Sequence, residues 1–315
     1  MRFSFFALSV GLCCAAVVPR QLGNACTDPP KRIEWRQLGA EIQKEYIEAV
    51  LCLRTKPSAL GLNTTRYDDF PYIHTRLDKT IHSVAMFLPW HRLFVQIYED
   101  ALADCGYTGP MPYWDWTLDT DDVTKSPIWD ADTGFGGNGD PVIDPWTESS
   151  SKKCLVDGPF QHVQPAYTMN GYAPHCLTRN WNSGIAFPGN MLAEYYTTEV
   201  VEETHSLDDY PAFRYKLEGT PHGAIHSAVG GDMSPATSPN DPIFFLHHAQ
   251  IDRLWTLWQQ EKPHVRTMQF GGPRTLGQDA AEATLDDVMP FLGLTPDVKV
   301  SEVMSTNTSR LCYAY

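Results

Sequence analysis

The stretch Ser238-Pro-Asn-Asp-Pro-Ile-Phe-Phe-Leu-His-His-Ala-Gln-Ile-Asp-Arg-Leu-Trp-Thr-Leu-Trp258 constrains this chain more than any other. Asp241 is placed to cap a helix, Pro242 suits a first turn whose N–H has no partner, and Pro263 marks the far end. The spacing predicts a helix over residues 242–261. At about 3.6 residues per turn, His248, Asp252, Trp255 and Trp258 or Gln259 share a face, and His247 is turned about 100° away. One imidazole can then point inward while its neighbour packs elsewhere, so His247 is read as a core residue or one standing behind the ligands.

A lone buried histidine is ordinarily a hydrogen-bonded core residue. This chain offers more. Thr220-Pro-His-Gly-Ala-Ile-His226 starts with what reads as a cap and first turn, placing His222 and His226 at i and i+4 on one helical face. With His248 they make a three-nitrogen metal site. A second trio, His74, His82 and His91, lies in residues 72–92, with His91 just after Leu88-Pro-Trp90 at the start of an amphipathic helix running to about Asp104. All-imidazole sets suit Zn, Cu, Fe or Ni, whereas carboxylate-rich sets favour Mg, Ca, Mn or di-iron centres. The Glu-x-x-His pattern of di-iron bundles is absent, and Gly223 stands where a zinc protease needs Glu. Two three-histidine sets held in a helical bundle are best read as a binuclear copper site.

Phe87-Leu-Pro-Trp-His-Arg-Leu-Phe94, Pro112-Tyr-Trp-Asp-Trp116, Pro221-His-Gly-Ala-Ile-His226 and residues 241–255 together resemble the type 3 copper proteins, and within them the short fungal tyrosinases and catechol oxidases. The resemblance runs from Lys31-Arg-Ile-Glu-Trp-Arg36 to the end of the chain. It implies a mainly α fold, an antiparallel four-helix bundle with long loops and few short strands, holding two copper ions. His74, His82 and His91 would bind copper A, and His222, His226 and His248 copper B. The implied reaction uses dioxygen and a small phenolic substrate, converting o-diphenols to o-quinones; tyrosinases of the family also hydroxylate monophenols. Tyrosyl groups of a peptide precursor and o-aminophenols stay open as substrates, and pigment or secondary metabolism as a setting. A hemocyanin-like oxygen carrier and a metal-binding module without turnover are the other classes; a carrier binds O2 reversibly and consumes none.

Related enzymes carry an acidic residue near the position of Glu218, four before His222, to hold a water that deprotonates the phenol. A general base there needs hydrogen-bond reach and a suitable pKa; a carboxylate favoured by a helix N-terminus is the competing reading. Monophenol-hydroxylating relatives often have Asn where this chain has Gly223, which lowers the expected monophenolase activity. Thr80 stands where many fungal relatives have a Cys joined to the second copper A histidine, so no such thioether forms. Tyr313-Ala-Tyr315 resembles the Tyr-x-Tyr that closes the family's catalytic core, and residues 24–315 are read as one catalytic domain without a covering C-terminal domain.

Residues 1–18 read as a secretory signal, cleaved at about 16–23, because the apolar run is too short for a span and is followed by small residues. An exported chain whose cysteines outside that leader are Cys26, Cys52, Cys105, Cys154, Cys176 and Cys312 is expected to form three disulfides, with fifteen pairings open. Asn63-Thr-Thr65 and Asn307-Thr-Ser309 are sequons. The net charge of −14 argues against nucleic acid or anionic membranes as partners. A first helix is expected within Ile33–Lys56, and Asp119–Pro188 reads as a long loop tied down by disulfides or function. Asp252 pairs either with a ligand imidazole or with Arg92 or Arg253. Trp114 and Trp116 read as core, Phe244 and Phe245 as lining or backing the metal pocket or equally as core packing, and His162, His175, His205 and His264 as surface or loop residues.

Overall fold

The computed structural model describes residues 26–142, 144–145, 152–182, 190–277 and 280–315; the expected leader and its cleavage site lie outside them. The described fold is mainly helical. Its principal helices are α1 (Ala40–Leu53), α2 (Asp69–Ile81), α3 (Phe87–Ala103), α4 (Thr198–His205), α5 (Tyr210–Leu217), α6 (Gly223–Val229) and α7 (Ile243–Glu261), followed by the single turn α8 (Pro263–Arg266).

Strands are short and come in pairs. β1 (Ile33–Glu34) runs parallel to β2 (Pro112–Tyr113), while β3 (Gly139–Val142) with β4 (Lys152–Leu155), β5 (Tyr167–Thr168) with β6 (Gly171–Tyr172), and β7 (Val288–Met289) with β8 (Val298–Lys299) are antiparallel. None is large enough to bury a face of its own. They pin loops to the bundle.

The bundle centres on α3 and α7. Tyr98 stacks on Phe245 near one end of the contact, with centroids 3.5 Å apart, and Arg92 reaches Thr256 near the other, so the two helices run antiparallel. Both are buried almost all round, as befits central helices rather than amphipathic surface ones. α7 occupies nearly the expected range, but Pro242 rather than Asp241 holds its N-cap position; Asp241, one residue earlier, accepts the Ile243 N–H and pairs with Arg179 through both oxygens.

Three further expectations need correcting. The first helix begins at Ala40, because Ile33–Glu34 pair with β2 and Trp35–Gln37 form a 3₁₀ turn. The helix carrying His91 starts at Phe87, before Pro89, which tolerates its lost donor within the first turn. Thr220-Pro221 does not start a helix. Residues 218–222 form a π turn joining α5 to α6, and the wider turn accommodates a proline that would clash inside a regular α-helix.

The six cysteines pair as Cys26–Cys312, Cys52–Cys105 and Cys154–Cys176. The first ties the start of the described chain to its end, and the second joins α1 to the turn after α3. Replacing both Cys52 and Cys105 by Ser should cost about 2–5 kcal/mol, a fall in Tm of roughly 5–15 °C in non-reducing thermal unfolding.

The long segment after Asp119 is organised by 3₁₀ turns, two hairpins and the Cys154–Cys176 bridge. Arg179 anchors it by donating to the carbonyls of Phe135, Gly136 and Gly137 while holding Asp241 at the start of α7. Asn63 and Asn307 are both exposed. No helix among the described residues is long and apolar enough to cross a membrane.

Candidate metal centre

His74 projects from α2, His82 follows that helix directly, and His91 lies in α3. The helical period Phe70, Ile73, His74, Leu77, Ile81 buries one stripe of α2 and carries His74 inward with it. Between α2 and α3 the chain turns sharply at Ser83, which holds a positive φ of 59°. Its N–H donates to Glu218 Oε1, and that bond helps hold a conformation a side chain ordinarily avoids. The π turn and α6 supply His222 and His226, and α7 supplies His247 and His248.

The imidazoles gather into two groups, His74 with His82 and His91, and His222 with His226, His247 and His248. The groups face each other: His91 stacks on His248 with centroids 4.4 Å apart, and His82 lies 6.3 Å from His222. Phe87 packs against both His91 and His222, and Phe244 stacks on His248 at 4.1 Å. Phe244 therefore backs the site as expected. Phe245 does not; it packs among Phe70, Phe94 and Tyr98 in the core.

Hydrogen bonding decides what these rings can do. Nδ1 faces a main-chain carbonyl in His74 (Ala236, 2.6 Å), His82 (Asp78, 3.3 Å), His91 (Phe87, 2.8 Å), His222 (Glu218, 3.0 Å) and His226 (Met233, 2.6 Å). A carbonyl only accepts, so each ring carries its proton on Nδ1 and presents an Nε2 lone pair. His74 and His91 bring their Nε2 atoms within 3.2 Å of each other. Two lone pairs directed together are stable only with a cation between or beside them. Burial holds His74, His91, His222 and His248 well below the usual imidazole pKa and His226 down to about 4, so these rings are neutral and free to ligate near pH 7.

His247 differs. The Trp116 indole, which can only donate, gives its Nε1–H to His247 Nδ1 at 3.2 Å. The neutral ring must then carry its proton on Nε2, the tautomer opposite to that of the five carbonyl-bound rings. His248 has no partner on either ring nitrogen among the described residues, although it is buried. The fourth imidazole of the group thus stands among rings that present a lone pair without turning one inward itself, and Trp116 is more than core filling.

Glu218 is buried with both oxygens engaged, Oε1 by the Ser83 N–H and Oε2 by Arg214 at 2.6 Å. It joins α5 to the turn that carries His82. A cavity of about 250 Å³ opens over the two groups, walled by His74, His82, His222 and His226 together with Asp78, Gly223 and small residues of 227–238. Glu218 is not among its walls. Asp78 Oδ1 accepts from His82 Nδ1 at 3.0 Å, a second acceptor fixing that ring.

Of the remaining expectations, Asp252 pairs with Arg92, and also with Arg32, which sequence reading passed over; Arg253 pairs with Asp115. His162 and His264 are exposed. His205 ends α4 half-buried, its Nε2 facing the Leu254 carbonyl. His175 is a loop residue, as expected, but a buried one: Asp232 accepts from its Nε2 at 2.9 Å and also binds Thr178.

A helical bundle that sets two groups of buried imidazoles face to face, with their lone pairs converging, is the domain of a binuclear type 3 copper oxidoreductase. Residues 64–261 match the model of the common central domain of tyrosinase, and the chain belongs to the tyrosinase family. It is 42% identical over 306 residues to the tyrosinase-like protein phomQ1' of Diaporthe leptostromiformis, covering 92% of this chain and 80% of that one. It is 38% identical over 291 residues to the tyrosinase ustQ of Aspergillus flavus, with coverage of 92% and 80%. Among solved structures it is similar to a polyphenol oxidase variant from Thermothelomyces thermophila, at a TM-score of 0.78 and 31% identity over 91% of this chain and 88% of the other.

Proposed function

We propose that this protein is an exported polyphenol oxidase that uses O2 to convert o-diphenols to o-quinones, with His74, His82 and His91 holding one copper and His222, His226 and His248 the other. The observation that carries the ligand assignment is the tautomer pattern: five rings have Nδ1 turned to a carbonyl and Nε2 turned inward, and His248 faces the opposite group with no partner among the described residues. When bound, the copper pair supplies the two-electron redox chemistry that couples diphenol oxidation to O2. The chain does the rest. It keeps His74, His91, His222, His226 and His248 neutral by burial, fixes the five carbonyl-bound rings by their outer hydrogen bonds, and surrounds the reacting centre with Phe87 and Phe244. Three disulfides support export to an oxidising compartment.

Hydroxylation of monophenols is the second reading, and the position of Glu218 four residues before His222 favours it. Against it, Gly223 brings no side chain to help hold a water, and the Glu218 carboxylate is already bound by Arg214 and Ser83. Its proposed task is to position the turn bearing His82, with monophenol turnover a minor activity.

An oxygen electrode with copper-loaded protein tests both readings on a monophenol, its o-diphenol and the matching o-aminophenol. The diphenol should be consumed at least about 100-fold faster than the monophenol, the lower end of one lost proton-transfer contribution. Equal rates would establish the second reading instead. No oxygen consumption on any of them would overturn both.

A further inference from the structure

The cavity over the metal centre has one charged side chain in its wall. Asp78, on the last turn of α2, lines it together with His82, Ser227, Ser234 and Ser238, and no Lys or Arg lines it among the described residues. The Asp78 side chain is 39% exposed and that of His82 22%, so the carboxylate lies further toward solvent than the ring it braces. One oxygen accepts from His82. The other has no protein donor among the described residues. Lys79, the nearest basic neighbour in sequence, is exposed and outside the cavity wall. A phenol whose hydroxyl end reaches the imidazoles must direct its ring substituent outward, past this carboxylate, because the cavity is near the small end of ligand-pocket sizes and holds about one ring.

We infer that Asp78 is a specificity-determining residue, making the site favour diphenols with a cationic side chain, such as an alkylammonium group, over those ending in a carboxylate. The inference rests on the oxidase reading above. An ammonium passing Asp78 is attracted and a carboxylate repelled; for a part-exposed group each effect is modest, and the two together amount to about tenfold in kcat/KM. Serines 227, 234 and 238 hydrogen-bond either end group equally well and do not reverse the preference.

The test uses copper-loaded protein and three catechols differing only in the ring substituent: 2-aminoethyl, methyl and 2-carboxyethyl. Wild type should prefer the amine to the carboxylate by about tenfold. Asp78→Asn keeps an acceptor for His82 Nδ1 and removes the charge, so it should bring the two within about threefold of each other. Loss of a positioning contact to His82 alone would lower all three rates together and leave the ratio unchanged. Ser227→Lys, on the exposed side of α6 and free of that contact, should reverse the order, and it decides the matter if copper analysis shows that Asp78→Asn loads poorly. Equal handling of amine and carboxylate by wild type, or a ratio unmoved in the variants that retain copper, overturns the inference. Failure of wild type to oxidise the methyl catechol at full copper content would instead overturn the oxidase reading.

Discussion

His248→Ala should leave the protein with about one copper per chain and reduce catechol-dependent oxygen consumption by more than about 100-fold, since loss of even an outer partner of a metal ligand costs 10–100-fold. The ring belongs to α7 and stacks on His91 of the opposite group, so removing it opens the centre between the two metals. His247→Ala should behave differently. It removes a ring whose Nδ1 is already taken by Trp116, leaving that buried indole N–H unpaired at a cost of about 1–3 kcal/mol. The expected result is a lowered Tm with copper and turnover largely retained. Metal analysis and oxygen uptake on the two variants side by side check this, and complete loss of copper in both would mean that the tautomer argument assigns the wrong ring.

That distinction shows where sequence reading stops. The helical period already separates His247 from His248 by about 100° and places them on different faces. It does not say what His247 touches. Trp116 is 131 residues away, and only the anchoring of its loop to α7, where the Trp114 N–H donates to the Leu246 carbonyl, brings the indole to the ring. The histidine spacing likewise reveals the two groups but not why each ring presents Nε2. Those reasons are carbonyls of residues as distant as Ala236 from His74, and carbonyls leave no trace in side-chain pattern.

The errors have local physical causes. Pro221 reads naturally as a first-turn residue, and nothing in the sequence announces that a π turn lets α5 run on into α6. The consequence is functional, because that turn carries His222 and the Glu218 link to Ser83. His175 lies in a loop, one of the two places expected of it for want of metal-ligand spacing, but its burial depends on Asp232, a partner 57 residues away.

Asp252→Ala should destabilise the fold by about 3–5 kcal/mol, the cost of leaving a buried charge network without its anion. Asp252 Oδ1 accepts from Arg92 Nε at 2.5 Å, and Oδ2 accepts from Arg32 and from the hydroxyls of Tyr313 and Tyr315. The Arg92 guanidinium also lies 3.6 Å from the Trp255 ring centroid and donates to the Val303 and Met304 carbonyls, while that of Arg32 covers Tyr313 at 3.5 Å. One carboxylate thus ties the start of the described chain and its last residues to α3 and α7. Arg92 follows His91 directly and Asp252 stands one turn after His248, so the same pair sets the register of the two helices that carry imidazoles of the opposite groups. Burial pushes the Asp252 carboxyl up, but Arg92, Arg32 and the Tyr313 hydroxyl outweigh it and hold the pKa below the usual value. A depressed folded pKa means that the stabilisation is complete above the unfolded value, near pH 4, and is lost as pH falls through the lower folded one. Chemical denaturation should therefore show wild type losing stability below about pH 4 more steeply than Asp252→Asn, which has no carboxyl to protonate. Parallel acid profiles for the two proteins would show that the network contributes packing but no charge-dependent stability.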